Sequence, residues 1–316
     1  MTIVLAEGVH VINETAILQP QRRAFSRVER LTIRAEILPD DASWHIGRMP
    51  TLVHALPLSQ TWNGRVDPLG GAADGMLIGT SHVSILGLRI LGLAVIESPQ
   101  AGVIRRLYAI SRLDRELDDL QISQCVFAGE ETTTPLHVGI IANGNGVAVH
   151  NCVFRGLKIS AVFWTPGSSG HSMHHCVCDG LYGSAVWTAG VAPDFSYRNN
   201  VVVNSNYVWT SQGGASALAD AATSGPGAAP SSTDEHVRYR VVDSVFAGNR
   251  RLTGSGTGAR LEYRDIDPSL LELVRTSVLD KAIPLERDST KRNYLQPQSD
   301  SKASRLKAGL FTKAPA

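Results

Sequence analysis

The 316-residue sequence predicts an all-β fold in which short strands wind into a parallel solenoid. Three observations predict it. Four segments superpose without a gap over ten residues: LQISQCVFAG from Leu120, VAVHNCVFRG from Val147, HSMHHCVCDG from His171 and FSYRNNVVVN from Phe195. Their starts lie 27, 24 and 24 residues apart, and apolar residues alternate within each, with a reset at the fifth position. Each copy is followed by a second apolar run, HVGIIA, SAVFWT, SAVWTA or NYVWTS. A strand, a sharp bend, a second strand, a loop and a third strand, returning every ~24 residues, make one coil of a stacked repeat.

The elements follow in order. Diverged copies begin at Leu31 (LTIRAEILPD) and Val83 (VSILGLRILG), and a later copy at Tyr239 (YRVVDSVFAG), so coils are expected over about 25–263. Residues 39–70, with Trp44, Trp62 and several prolines, form one insertion. Residues 211–236, rich in Gly, Ala, Ser and Pro, form another. The stretch DIDPSLLELVRTSVLDK starts like a helix, with Asp267 as cap and Pro268 in the first turn. Residues 264–316 are therefore expected to be a helical cap and tail, because an uncovered solenoid end exposes strand edges. The whole chain, 1–316, reads as a single domain.

Within a coil, positions one, three, six and eight face inward. Cys125, Cys152 and Cys176 then stack as an interior ladder continued by Asn200 and Ser244, and are expected as reduced thiols. Four cysteines in so long a chain are no disulfide scaffold. Position five is often Asn (Asn151, Asn199), the non-glycine residue that best tolerates left-handed backbone. The histidine-rich HSMHHCVC has a metal-like look, yet the columns separate its imidazoles. His171 points inward, His174 outward beside His150 and Arg198, and His175 sits on the bend. Side chains diverging in this way cannot share a tetrahedral ion, so no metal is expected. Position seven is outward but valine in five coils (Val126, Val153, Val177, Val201, Val245). Exposing it would cost ~25 cal/mol per Å². A packed element should cover it: the C-terminal segment, a long loop, or a second subunit in an oligomer.

The repeat resembles the right-handed parallel β-helix of the pectate-lyase-like superfamily, over roughly residues 25–263. That resemblance implies a polysaccharide or oligosaccharide partner and leaves several chemistries open. The superfamily's motifs do not carry over. RMP at Arg48–Pro50 keeps one arginine of the calcium-dependent lyase motif, no clustered aspartates match a polygalacturonase site, and Asp74, Asp179 and Asp194 are too scattered for a calcium cage. The cofactor is therefore unknown: calcium is possible, with no clear site.

Candidate site residues come from the short apolar run that follows each copy, taken as the first strand of a coil. With Ile140, Val162, Val186 and Val208 inward, the next residues, Ile141, Phe163, Trp187 and Trp209, form an exposed stripe on which sugar rings can stack. Phe163, Trp187 and Trp209, with Arg112 in a nearby turn, are the expected substrate-binding set. Lys158 and Tyr182 share a repeat position at the strand entrance, His137 lies three residues before Ile140, and Arg106 and Tyr108 point outward one coil earlier. A cation that neutralises a uronate carboxylate, beside a Lys, His, Tyr or Arg that removes the α-proton, supports β-elimination or epimerisation. Lys158, His137, Tyr182, Arg106 and Tyr108 are the catalytic candidates. The expected function is a lyase or epimerase acting on an acidic polysaccharide. The alternatives are a non-catalytic glycan-binding or structural solenoid, and a glycoside hydrolase.

Charge and hydropathy remove other classes. Thirty Lys and Arg against 29 Asp and Glu leave no basic stripe, so sequence-independent nucleic-acid binding has no driving force. No apolar run approaches the ~18–20 residues needed to span a bilayer. The opening MTIVLAEGVHVINETAIL does not read as a secretory signal. The expected compartment is cytoplasmic, or extracellular or periplasmic if a leader has been removed.

Overall fold

The computed structural model describes residues 1–20, 22–56, 61–62, 65–66, 72–92, 94, 106–112, 114–131, 133–211, 238–256, 263–266 and 268–310. It is a right-handed parallel β-helix with three long sheets. The first sheet stacks one strand per coil from Thr2–Leu5 through Val147–His150 to Leu271–Val274. The second runs from Val9–Ile12 through Val153–Arg155 to Ser277–Leu279, and the third from Ala16–Leu18 through Ile159–Phe163 to Arg251–Gly256. Tyr263–Asp265 adds one antiparallel strand to the end of the third sheet.

The bend between the first and second sheets is the feature the repeat encodes most directly. Gly87, Gln124, Asn151, His175, Asn199, Asp243 and Arg275 occupy it in successive coils, with φ between 46° and 72°. One left-handed residue turns the chain through the corner without a loop, which is why two strands fit into ten residues. Inward positions fill as the columns require. Cys125, Cys152, Cys176, Phe127 and Phe154 have no exposed surface, and the Phe127 and Phe154 rings stack with centroids 4.8 Å apart. All four cysteines are free thiols, and burial pushes Cys125 and Cys152 well above the usual thiol range.

The coils extend beyond the expected limits at both ends. Thr2–Leu5, Val9–Ile12 and Ala16–Leu18 form a first coil. The expected C-terminal helix is replaced by a last one. After a single 3-10 turn at Pro268–Leu270, Leu271–Val274 pairs with Tyr239–Val242, and Ser277–Leu279 pairs with Val245–Ala247. LELVRTSVLD is itself a repeat copy, with Arg275 at the bend, and the open ladder of the preceding coil captures it as strand. The Asp267 cap lies outside the described residues, as does the 211–236 insertion apart from Ser211. The 39–70 insertion is also shorter than expected, because Thr51–His54 is the second-sheet strand of its coil.

The outward valine stripe is covered by the chain itself. Val126, Val153, Val177, Val201 and Val245 are at most 2% exposed. They pack with Leu285, Leu295, Leu306 and Leu310 from the C-terminal segment and with Trp44, Ile46 and Met49 from the insertion. The segment is pinned through two bend residues. The His175 ring donates from Nδ1 to the Leu306 carbonyl (2.7 Å), and Asn151 donates to the Gly309 carbonyl (3.1 Å). A second subunit over this stripe is therefore not needed to bury it.

Candidate functional site

The third sheet departs from strict alternation, and this decides where the aromatic rings point. Ala109 and Ile110, Ala185 and Val186, and Val208 and Trp209 are consecutive pairs that all join the inner core. A doubled inward position shifts the phase of the residues after it. Ile141 and Trp187 do face outward, but Val162 joins them in the outer cluster, and Phe163 and Trp209 turn inward. Trp209 stacks on Tyr239 at 4.8 Å and donates its indole N–H to Thr188. Phe163 packs edge-on against Phe195 at 4.7 Å. The expected exposed stripe of Ile141, Phe163, Trp187 and Trp209 does not form, since all four are at most 6% exposed. Trp187 instead lies in an outer apolar cluster with Tyr108, Val138, Ile141, Ile159 and Val162, against Trp164 (5.0 Å).

Arg112 is likewise structural in its contacts. It is fully buried, and its guanidinium donates to the carbonyls of Asn143 (2.6 Å) and Asn145 (2.7 Å), tying its strand to the turn of the next coil. Burial draws its pKa down to about 10, against the pull of Asp118 and Asp119.

Four of the five expected catalytic residues meet on the outer face at the entrance of the third sheet. Arg106 and Tyr108 come from Arg106–Arg112, His137 precedes Val138–Ala142, and Lys158 precedes Ile159–Phe163, so three adjacent coils contribute. The backbone N–H of Lys158 donates to the His137 carbonyl (3.1 Å), and the Tyr108 and His137 rings meet edge to face at 6.1 Å. The Arg106 guanidinium hydrogen-bonds the Tyr108 hydroxyl. Asp74 joins from the coil before, directly paired with Tyr108 in the ladder and accepting a hydrogen bond from Ser111.

Tyr182 does not share the ladder position of Lys158. Gly183 is one residue more than the preceding coil has, so Lys158 lies opposite Gly183, and Tyr182 donates its N–H to the Leu157 carbonyl. Asp74 is the residue that sequence reasoning discounted. Aligning Ala72–Ile78 with Arg106–Arg112 would have placed it beneath Tyr108.

The cluster is closed and electrostatically loaded. Lys158 has no exposed surface, His137 has 1%, Arg106 4% and Tyr108 6%. Burial, reinforced by the Arg106 charge and opposed by Glu131, lowers the Lys158 amine to about 7. Burial, with Asp74 adding and Arg106 opposing, pushes the Tyr108 phenol up to about 12. Burial also raises the Asp74 carboxyl, against its hydrogen bond from Ser111. An amine with a substantial neutral fraction, a firmly protonated phenol and a permanent cation thus stand together near neutral pH.

The histidines of HSMHHCVC diverge as the columns predict. His171 points into the core, with Nε2 2.9 Å from the Ser168 hydroxyl. His174 packs on His150 at 5.0 Å and lies within 2.9 Å of the Ser196 hydroxyl, while His175 holds the C-terminal segment. Among the described residues no group of three or more His, Cys, Asp or Glu side chains is placed to hold a metal ion. Asp179 is ion-paired with Arg287 (2.7 Å) and Asp194 accepts from the Gly170 N–H, so these two carboxylates and Asp74 have separate surroundings. No helix among the described residues is long and apolar enough to cross a membrane. No protein-family model matches this chain, and no curated protein matches it significantly.

Proposed function

We propose that the protein acts on an acidic glycan by proton abstraction next to a carboxylate, as a lyase or epimerase. The observation that carries this reading is the Lys158 amine, drawn to about 7 by burial and by Arg106, beside a protonated Tyr108. Ionisable groups with displaced pKa values cluster where proton transfer is required. In this reading Arg106 neutralises the uronate carboxylate and so acidifies the α-proton. Neutral Lys158 removes that proton, and Tyr108 supplies one to the leaving oxygen (in a lyase) or to the opposite face (in an epimerase). His137 orients the Tyr108 ring.

The test is a screen of uronic-acid polysaccharides for the absorbance of an unsaturated product and for C5 inversion by NMR, with and without chelator. Lys158→Met should lower turnover by roughly 10²–10⁴-fold. An active protein whose Lys158→Met variant keeps full turnover would overturn the assignment.

One observation favours the second reading, a structural or glycan-binding solenoid without catalysis. Every member of the cluster except Asp74 is under 9% exposed, so a polymer reaches Lys158 only after the surrounding residues move. Saturable glycan binding with no product from any uronate polymer would establish that alternative.

A further inference from the structure

A cleft lies on another face. The second-sheet column that is valine in five coils carries Arg89 one coil earlier, paired directly with Val126. There the covering layer parts to leave a cleft of about 630 Å³, lined by His45 and Gly47 of the insertion, Arg89, and Ser289, Thr290 and Tyr294 of the C-terminal segment. Among the described residues the Arg89 guanidinium meets no carboxylate and no hydrogen-bond acceptor. The ring nitrogens of His45 and the hydroxyls of Ser289 and Tyr294 are also without partners there. The carboxylate of Asp288 accepts from the N–H and hydroxyl of Thr290 (2.9 and 2.7 Å) and does not line the cleft. Arg292 donates from Nη2 to the carbonyls of Pro39 and Asp41 (3.2 and 3.0 Å), and among the described residues it forms no ion pair.

The cleft is shaped as well as charged. A side chain at Gly47 would stand 3.1 Å from the His45 ring, so glycine keeps this wall open. Tyr294 is half-buried against the apolar layer, which holds its ring as the opposite wall. A half-buried guanidinium next to the covered valine stripe, with no carboxylate partner among the described residues, is a ready donor to an anion.

We propose that this cleft binds a sugar-sized ligand carrying an oxyanion, a carboxylate or phosphate held by Arg89 with its ring against Tyr294. The volume suits a mono- or disaccharide, within the roughly 300–1,000 Å³ of small-molecule sites. The proposal is independent of the Lys158 cluster and shares no residue with it.

Titration calorimetry of the full chain separates the contributions, with glucuronate as sugar and oxyanion, inorganic phosphate as oxyanion alone, and glucose as sugar alone. Glucuronate should bind saturably, phosphate should compete more weakly, and glucose should not bind. Arg89→Gln should weaken glucuronate roughly tenfold or more with an unchanged melting temperature. Tyr294→Leu should weaken glucuronate but not phosphate. Should Arg89→Gln fold poorly, phenylglyoxal labelling of the unmodified protein, read peptide by peptide, still decides. Protection of Arg89 by glucuronate supports the site. Equal labelling with and without glucuronate, or glucose binding as tightly as glucuronate, overturns it.

Discussion

Asn199 shows how much one backbone angle determines. Its φ of 55° places it where β-branched side chains clash with their own backbone, and its side chain is half-exposed at the corner. Asn199→Gly should therefore change stability little, whereas Asn199→Val should cost about 1–3 kcal/mol, measurable by urea denaturation. Lys158 offers a second residue-scale test. Its amine sits at about 7 in the fold, against an unfolded value of 10.5. Between those values the unfolded chain holds a proton that the folded chain has released, so stability rises with pH across that window. Below about pH 7 the burial of the charge is a constant penalty. Lys158→Met should be more stable than the parent at pH 7, with the difference shrinking towards pH 10. An unchanged pH profile would show that the amine is solvated.

The outward column of the first sheet, His150, His174 and Arg198, sets the acid behaviour of one element. Burial first, then neighbouring His175 and Arg198, holds His150 at about 4. Burial, with His150, Arg198 and His175, holds His174 at about 3, and Arg198 donates to its Nε2 at 3.3 Å. Both rings stay neutral in the fold while the unfolded chain protonates near 6.5, so stability falls as pH drops below about 6.5. The double variant His150→Gln, His174→Gln should flatten the melting temperature between pH 6.5 and 4.5. The covering segment is the second element to test. Leu306 is 4% exposed within the valine-stripe cluster. Leu306→Ala should cost about 2–4 kcal/mol and raise hydrogen exchange across residues 303–309 before the coils respond.

For the whole molecule, the repeated coils make stability a sum of nearest-neighbour interfaces. The C-terminal segment breaks that rule by lying across several coils at once, from the Leu310 cluster to the Asp179–Arg287 pair. Deleting residues 281–316 should leave the β-sheet circular dichroism intact while exposing five valines in a row. The expected result is concentration-dependent self-association, read by light scattering. A truncated chain that remains monodisperse would show that the stripe has another cover.

The coil was legible in the residues alone. Its period, the left-handed corner at Asn151 and Asn199, the interior cysteine ladder and the divergence of His171, His174 and His175 all follow from local steric rules that each copy obeys independently. The need to cover Val126 to Val245 was legible too, because exposed apolar area has a known cost. What covers them was not legible, since Leu285–Leu310 carries no periodic mark of its contact with a column that lies several coils earlier in the chain. The direction of Phe163 and Trp209 was decided only by tertiary structure. A doubled inward position in the third sheet resets a two-residue alternation that no single strand reveals. The same stacking across coils carries Asp74 beneath Tyr108, sets Lys158 opposite Gly183 instead of Tyr182, and turns LELVRTSVLD from an expected helix into a strand pair. Local residues fix how a coil bends. Which side chains meet across coils depends on register, and register is settled only when one coil is laid on the next.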